Sequence, residues 1–298
     1  MNPHSQPSSV HKPVCDDAAE HPSPRKPGKG IYVLPNLFTL AALFGGFYAV
    51  VMSMNGRFDL AADGIFAAMV LDSLDGRVAR LTHTQSAFGE QMDSLADMVS
   101  FGAAPALIAY EWALQPLGRW GWIAAFVYCA CAALRLARFN VNTAVVSKRY
   151  FQGLPSPAAA ALVAGFVWLT SQVFSHRYEV PWFERMLHLF WGALIEREDL
   201  SWCMFAMTLF AGLTMVTNIP FYSFKEYGGK RSVPFTILVA AVLVIAFINI
   251  EPATVLFGLF VVYALSGYVL YFWRKATGQQ VSMVSTSIDE PDEQGLHH

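Results

Sequence analysis

Four aspartates lie on two consecutive apolar runs in one fixed pattern: Asp72-x2-Asp75-Gly76-x2-Ala79-Arg80-x8-Gly89-x3-Asp93-x3-Asp97. Residues three or four apart share a helix face. Asp72 therefore pairs with Asp75 on one helix, and Asp93 with Asp97 on the next. A turn near Leu81–Ser86 would make the two helices an antiparallel hairpin and bring the pairs together about two turns inside the helix ends. In a membrane each carboxylate costs roughly 2.5–3.5 kcal/mol at the bilayer centre. Like charges this close cannot all ionise without a counter-charge, and bound cations are the simplest source. An all-carboxylate site suits Mg²⁺, Mn²⁺ or Ca²⁺ rather than zinc or copper. Four carboxylates can hold two such ions about 3.5–4 Å apart.

The rest of the chain says that the hairpin sits in a bilayer. Of 298 residues, 55% are hydrophobic and only 14% charged, where an ordinary soluble domain has about 25% charged. Eight segments approach the roughly 20 apolar residues that a membrane helix needs. They are Leu34–Met54, Leu60–Arg80, Phe88–Leu114, Trp120–Phe139, Pro157–Phe174, Leu200–Ile219, Val233–Ile248 and Ala253–Trp273. The expected fold is an all-α, polytopic bundle of about eight transmembrane helices with a polar cavity open to the cytoplasm. Residues 1–30 and 276–298 are polar tails, the second turning acidic at Asp289, Glu290, Asp292 and Glu293. The net charge of -2 gives no reason to expect a nucleic-acid partner. Cys15, Cys129, Cys131 and Cys203 have neither disulfide-framework nor zinc-ligand spacing.

Basic residues set the orientation. Arg25, Lys26 and Lys29 precede the first segment, Arg138, Lys148 and Arg149 follow the fourth, Lys225, Lys230 and Arg231 the sixth, and Arg274 and Lys275 the eighth. With eight spans these fall on one side, which the positive-inside rule makes cytoplasmic, with both termini. The hairpin then opens to the cytoplasm, and the aromatic stretch Trp182–Ile195 lies along the outer interface.

Small residues flank the acids. Gly76 and Ala79 each lie one turn from an aspartate of the first pair, and Gly89 one turn before Asp93. They clear a groove where a ligand can approach the backbone, and Arg80 suits a bidentate grip on phosphate. Singly, each has a plainer reading: glycine and alanine pack membrane helices, and Asp59 and Asp63 read as caps or solvated residues. The whole set reads as a site for a metal-bound diphosphate. A cation-coupled transporter is the competing class, because intramembrane carboxylates also mark ion pathways. Acids crowded on one hairpin, instead of midplane on broken helices, argue against it. A silent membrane scaffold would not need the complete acidic set.

At every fixed position the hairpin resembles the signature of the CDP-alcohol phosphotransferase family, membrane enzymes that move a phospho-alcohol group from a cytidine diphosphate donor to an alcohol and release CMP. The likeness extends through Pro35-Asn36-Leu37-Phe38-Thr39 and Ser100-Phe101-Gly102-Ala103-Ala104-Pro105-Ala106. Three later stretches, Leu134–Asn140, Phe151–Ala158 and Asn218–Lys225, look like the membrane-type phosphatidylserine synthases of bacteria and archaea. The resemblance implies a membrane domain over residues 31–275, located in a bacterial inner or plasma membrane and assembled as a homodimer. It implies CDP-diacylglycerol and L-serine as substrates and two Mg²⁺ or Mn²⁺ as cofactors. Asp72, Asp75 and Asp93 would hold the metals, with Asp97 sharing the second and acting as general base. Asn36, Thr39, Gly76, Ala79, Arg80 and Gly89 would line the CDP-diacylglycerol site.

Serine needs a cation for its carboxylate. Arg135, Arg138, Lys148, Arg149 and Lys225 lie at the cytoplasmic end, where they also serve as topology anchors or lipid-headgroup contacts. Arg135 and Arg138, one turn apart, are favoured, and His83 reads as a solvated loop residue. Glycerol 3-phosphate, inositol phosphate or choline remain alternative acceptors, since charge alone does not exclude them.

Overall fold

The computed structural model describes residues 33–82, 86–142, 150–175, 197–222 and 235–277. The first tail, residues 278–298 of the second, Trp182–Ile195, His83, Lys148, Arg149 and Lys225 lie outside the described residues. The described chain is helical apart from two short strands, as expected where no water is available to satisfy backbone groups. The helices are α1 (Val33–Met54), α2 (Phe58–Leu81), α3 (Ala87–Asp97), α4 (Ala104–Ala109), α5 (Arg119–Asn142), α6 (Ser156–Ser175), α7 (Arg197–Val216), α8 (Phe235–Ile250) and α9 (Pro252–Ala276).

Each of the eight expected segments overlaps helix among the described residues. Among the described residues, five helices are long and apolar enough to cross a membrane: Asn36–Met54, Arg119–Val141, Ser156–Phe174, Asp199–Val216 and Pro252–Ala276. The other three differ for physical reasons. Helix α2 carries the first acidic pair with Arg77 and Arg80, α3 carries the second pair, and α8 has only 16 residues.

Helices α1 and α2 are joined by a tight turn in which Gly56 takes φ 72°. They then pack backbone to backbone. Gly45 and Ala49 on α1 face Gly64 and Ala68 on α2, and a Cβ placed on Gly45 would lie 3.0 Å from the Gly64 carbonyl oxygen. Such small-residue faces let membrane helices approach without a bulky interlayer.

The third rod is not a uniform helix. After Asp97 it widens into a π-helical stretch, Met98–Ala103, before α4, and again at Tyr110–Leu114. Pro105 explains the first widening. It has no N–H to give to the carbonyl four residues back, which is that of Phe101. The buried Tyr128 hydroxyl on α5 donates to that Phe101 oxygen instead, at 3.0 Å. One residue earlier, Ser100 Oγ donates to the Ala42 carbonyl of α1 at 3.0 Å.

Gly46 admits that contact, since a Cβ placed on it would lie 2.6 Å from both Cα and Oγ of Ser100. Gly46→Ala is expected to force α1 off the π stretch and destabilise the protein by about 1–3 kcal/mol, as overpacking does. A lowered melting temperature of the detergent-solubilised protein checks this; an unchanged one would refute the close approach.

Helix α6 runs through the centre, with Ala159, Ala160, Val163, Ala164 and Val167 fully buried. Helix α5 packs on α7, where Gly212 lies against Tyr128, and α9 lies on α6, where Gly165 meets Phe257. Strands β1 (Tyr150–Gln152) and β2 (Pro220–Tyr222) form an antiparallel ladder, Phe151 opposite Phe221 and Gln152 opposite Pro220. The ladder joins the segment that enters α6 to the segment that leaves α7.

Candidate active site

The hairpin brings its acids together. Single carboxylate oxygens of Asp72, Asp75 and Asp93 all lie within 4.8 Å of one another. Asp97 joins through Asp72, the two carboxyl groups lying close enough to interact. Like charges this close do not all ionise without positive charge among them. Asp75 is the buried member of the set and is held by the buried Thr39 of α1, whose Oγ1 donates to Asp75 Oδ2 at 2.9 Å.

The flanking residues occupy distinct places. Gly76 is exposed, and a Cβ added there meets nothing within 4 Å, so the surface beside the acids is open. Ala79 is half-buried and Arg80 exposed, its Nε donating back to the Gly76 carbonyl at 2.9 Å. At the start of α3, Ser86 caps the helix by accepting from the Gly89 N–H at 3.0 Å. A Cβ on Gly89 would sit 3.2 Å from Asn36 Oδ1, so glycine lets the head of α3 close on α1. Asn36 and Thr39 thus reach the hairpin from α1, one toward each acidic helix.

The two arginines of α5 do different things. Arg138 Nη2 donates to Gln152 Oε1 at 2.8 Å and to Asn218 Oδ1 at 2.7 Å, and Nη1 to the Val216 carbonyl at 3.4 Å. It fastens α5 to both sides of the strand ladder. Arg135 Nη1 donates to the buried Ser156 Oγ at 2.6 Å, at the start of α6. Its Nε is buried and has no hydrogen-bond partner among the described residues. Its guanidinium lies within electrostatic reach of Asp97, Tyr263 and Tyr128.

Several contacts at the site have no assignment in the sequence. Asn140 Nδ2 donates to Ser94 Oγ at 3.0 Å, tying α5 to the turn of α3 between Asp93 and Asp97. Asn140 and Ser156 lie in stretches that carry the family likeness, a usable signal. Tyr263, one aromatic residue in an apolar run, offers none.

The donor set fits a hard divalent cation. Magnesium binds oxygens at about 2.0–2.1 Å in octahedral geometry, which places opposed ligands roughly 4.2 Å apart. Three carboxylate oxygens within 4.8 Å are therefore close to that arrangement. Asp72, Asp75 and Asp93 could hold such an ion, with Asp97 beside it.

Known proteins resemble this chain over much of its length. The family model described as CDP-alcohol phosphatidyltransferase matches residues 32–194. A Helicobacter pylori protein named CDP-diacylglycerol–serine O-phosphatidyltransferase is 35% identical over 236 residues, covering 79% of this chain and 90% of its own length. Proteins of the same name from Saccharomyces cerevisiae and Methanocaldococcus jannaschii are 40% and 39% identical. They match 45% and 47% of this chain, and 53% and 62% of their own lengths.

Proposed function

The chain belongs to the CDP-alcohol phosphatidyltransferase family, and on that premise we propose that it transfers the phosphatidyl group of CDP-diacylglycerol to L-serine, giving phosphatidylserine and CMP. The observation that carries this reading is the meeting of Asp72, Asp75 and Asp93 on the hairpin, with Asp97 against Asp72, in a chain similar over most of its length to a protein of that name.

Asp97 takes the proton of the serine hydroxyl. The freed oxygen attacks the phosphorus that carries diacylglycerol, the phosphoanhydride bond to CMP breaks, and no side chain is phosphorylated. Two Mg²⁺ or Mn²⁺ ions held by Asp72, Asp75, Asp93 and Asp97 would neutralise charge on the diphosphate, as divalent cations do in phosphoryl transfer. Gly76, Ala79, Arg80, Gly89, Asn36 and Thr39 line the donor site, the open surface at Gly76 leaving room for it. Arg135 and Arg138 supply the positive charge of the serine site.

The distribution of lysine and arginine supports a site and termini in the cytoplasm. The protein works in a bacterial plasma membrane as a homodimer, a state that rests on family likeness alone.

The test is CMP release by purified protein from CDP-diacylglycerol, with serine compared against glycerol 3-phosphate, inositol, inositol phosphate and choline. Serine should exceed the others in kcat/KM by about two orders of magnitude or more, the discrimination available to a site built to bind a substrate's polar groups. A faster reaction with any other acceptor refutes serine. Transport of a solute into sealed vesicles without CMP release would refute the enzyme reading altogether.

A further inference from the structure

We propose that α9, which lies wholly beyond the segment matched by the family model, completes the acceptor pocket: its Tyr263 holds Arg135 so that the guanidinium presents Nε–H to the carboxylate of the acceptor. This rests on the reading that the acceptor is an amino acid.

The starting point is a buried donor without a partner. Arg135 Nε is closed off from solvent and bonded to nothing among the described residues. Leaving a buried donor unsatisfied costs about 1–3 kcal/mol, more when it is charged. A neighbouring hydroxyl or carbonyl would remove that cost, so its persistence next to the acidic hairpin points to a ligand that supplies the acceptor atom. A carboxylate suits a guanidinium because both are planar and each offers two atoms.

The second arginine is not equivalent. Arg138 is engaged by Gln152, Asn218 and the Val216 carbonyl, all part of the wall formed by the strand ladder and its flanks. It shapes the pocket, and Arg135 is the cation with a donor to spare.

Four groups lie around Arg135. Ser156 accepts from Nη1, and Asp97, Tyr128 of α5 and Tyr263 of α9 lie within electrostatic reach. A carboxylate held at Arg135 leaves a hydroxyl two carbons away in the neighbourhood of Asp97, the group proposed to take its proton. Serine has that spacing.

Tyr263 is itself fixed. Its ring packs on Phe221 of β2 with centroids 5.8 Å apart. One turn on, Gly267 abuts the same Phe221 ring, where any Cβ would collide with it. The Tyr268 hydroxyl and Thr214 Oγ1 are 2.8 Å apart, which locks α9 to α7. Helix α9 is thus seated on the strand ladder with Tyr263 within electrostatic reach of Arg135, and Tyr263 acts as a positioning residue.

The experiment uses the full-length detergent-solubilised protein, with CMP release measured for serine and for ethanolamine, which lacks the carboxylate. Tyr263→Phe, which removes the phenol hydroxyl, should raise KM for serine several-fold to about tenfold, the scale of one polar interaction, with a smaller change in kcat and in the KM for CDP-diacylglycerol. The kcat/KM ratio of serine to ethanolamine should fall by a similar factor. Arg135→Gln should collapse that ratio towards one, and Arg135→Lys, which keeps the charge, should restore part of it.

An unchanged serine KM in Tyr263→Phe, or equal losses with both acceptors, overturns the pocket while leaving the function standing. A wild-type protein that uses glycerol 3-phosphate and not serine overturns the function, and the carboxylate assignment with it.

Discussion

Stripping divalent cations with excess chelator should stop CMP release, and Mg²⁺ or Mn²⁺ should restore it. The reason lies in what the hairpin concentrates. Asp72, Asp75 and Asp93 offer oxygens within 4.8 Å of one another, Asp97 lies beside Asp72, and the proposed donor would bring a diphosphate to the same place. Negative groups on both partners repel unless positive charge lies between them. Arg80 cannot supply enough of it, being exposed and turned back onto the Gly76 carbonyl. Charge stabilisation by a bound cation is worth several kcal/mol, and each ~1.4 kcal/mol is a factor of ten in rate. The loss should therefore be about a thousandfold or more. Recovery on adding the ion back separates loss of the cation from loss of the fold. Undiminished activity in chelator would mean that the acids serve some other purpose.

How far the sequence could be read depended on whether a feature was local. The acidic hairpin was legible because helix periodicity converts spacings of three and four into shared faces, and a short turn converts two helices into one cluster. The eight apolar segments all overlap described helix for a similar reason, since length and composition are local quantities. Their sufficiency as membrane spans was less legible: α2 and α3 spend apolar positions on the acids, and α8 is short.

The π-helical stretch after Asp97 depends on a partner 27 residues away. Pro105 announces that Phe101 will lose a hydrogen bond, but nothing local says that Tyr128 will supply it. The strand ladder is harder still, because three-residue strands some 70 positions apart carry no periodicity of their own. The stretches Leu134–Asn140, Phe151–Ala158 and Asn218–Lys225 stood out separately. Arg138 bonds to Gln152 and to Asn218, so one side chain binds all three. Arg135 and Arg138 look interchangeable in sequence, and only their neighbours distinguish them.

Asp97→Asn should lower turnover by about 10²–10⁴-fold, the usual worth of a general base, while binding of CDP-diacylglycerol persists. Asparagine has nearly the same shape and can still hydrogen-bond Asp72, so the hairpin should keep its packing. What it loses is the ability to accept a proton from the acceptor hydroxyl. Position favours Asp97 over the other three for that role. It ends α3 where the rod widens, and it faces Arg135, the cation nearest the proposed acceptor pocket. Asp75 by contrast is occupied by Thr39. Because Asp97 also lies beside Asp72, the variant must be assayed across a metal titration. A defect that saturating Mg²⁺ or Mn²⁺ repairs assigns Asp97 to ion binding alone. A defect in kcat that persists at saturating ion, with donor affinity intact, is the result expected of the base. Near-normal turnover would remove Asp97 from the chemistry and pass the proton to a group outside the hairpin.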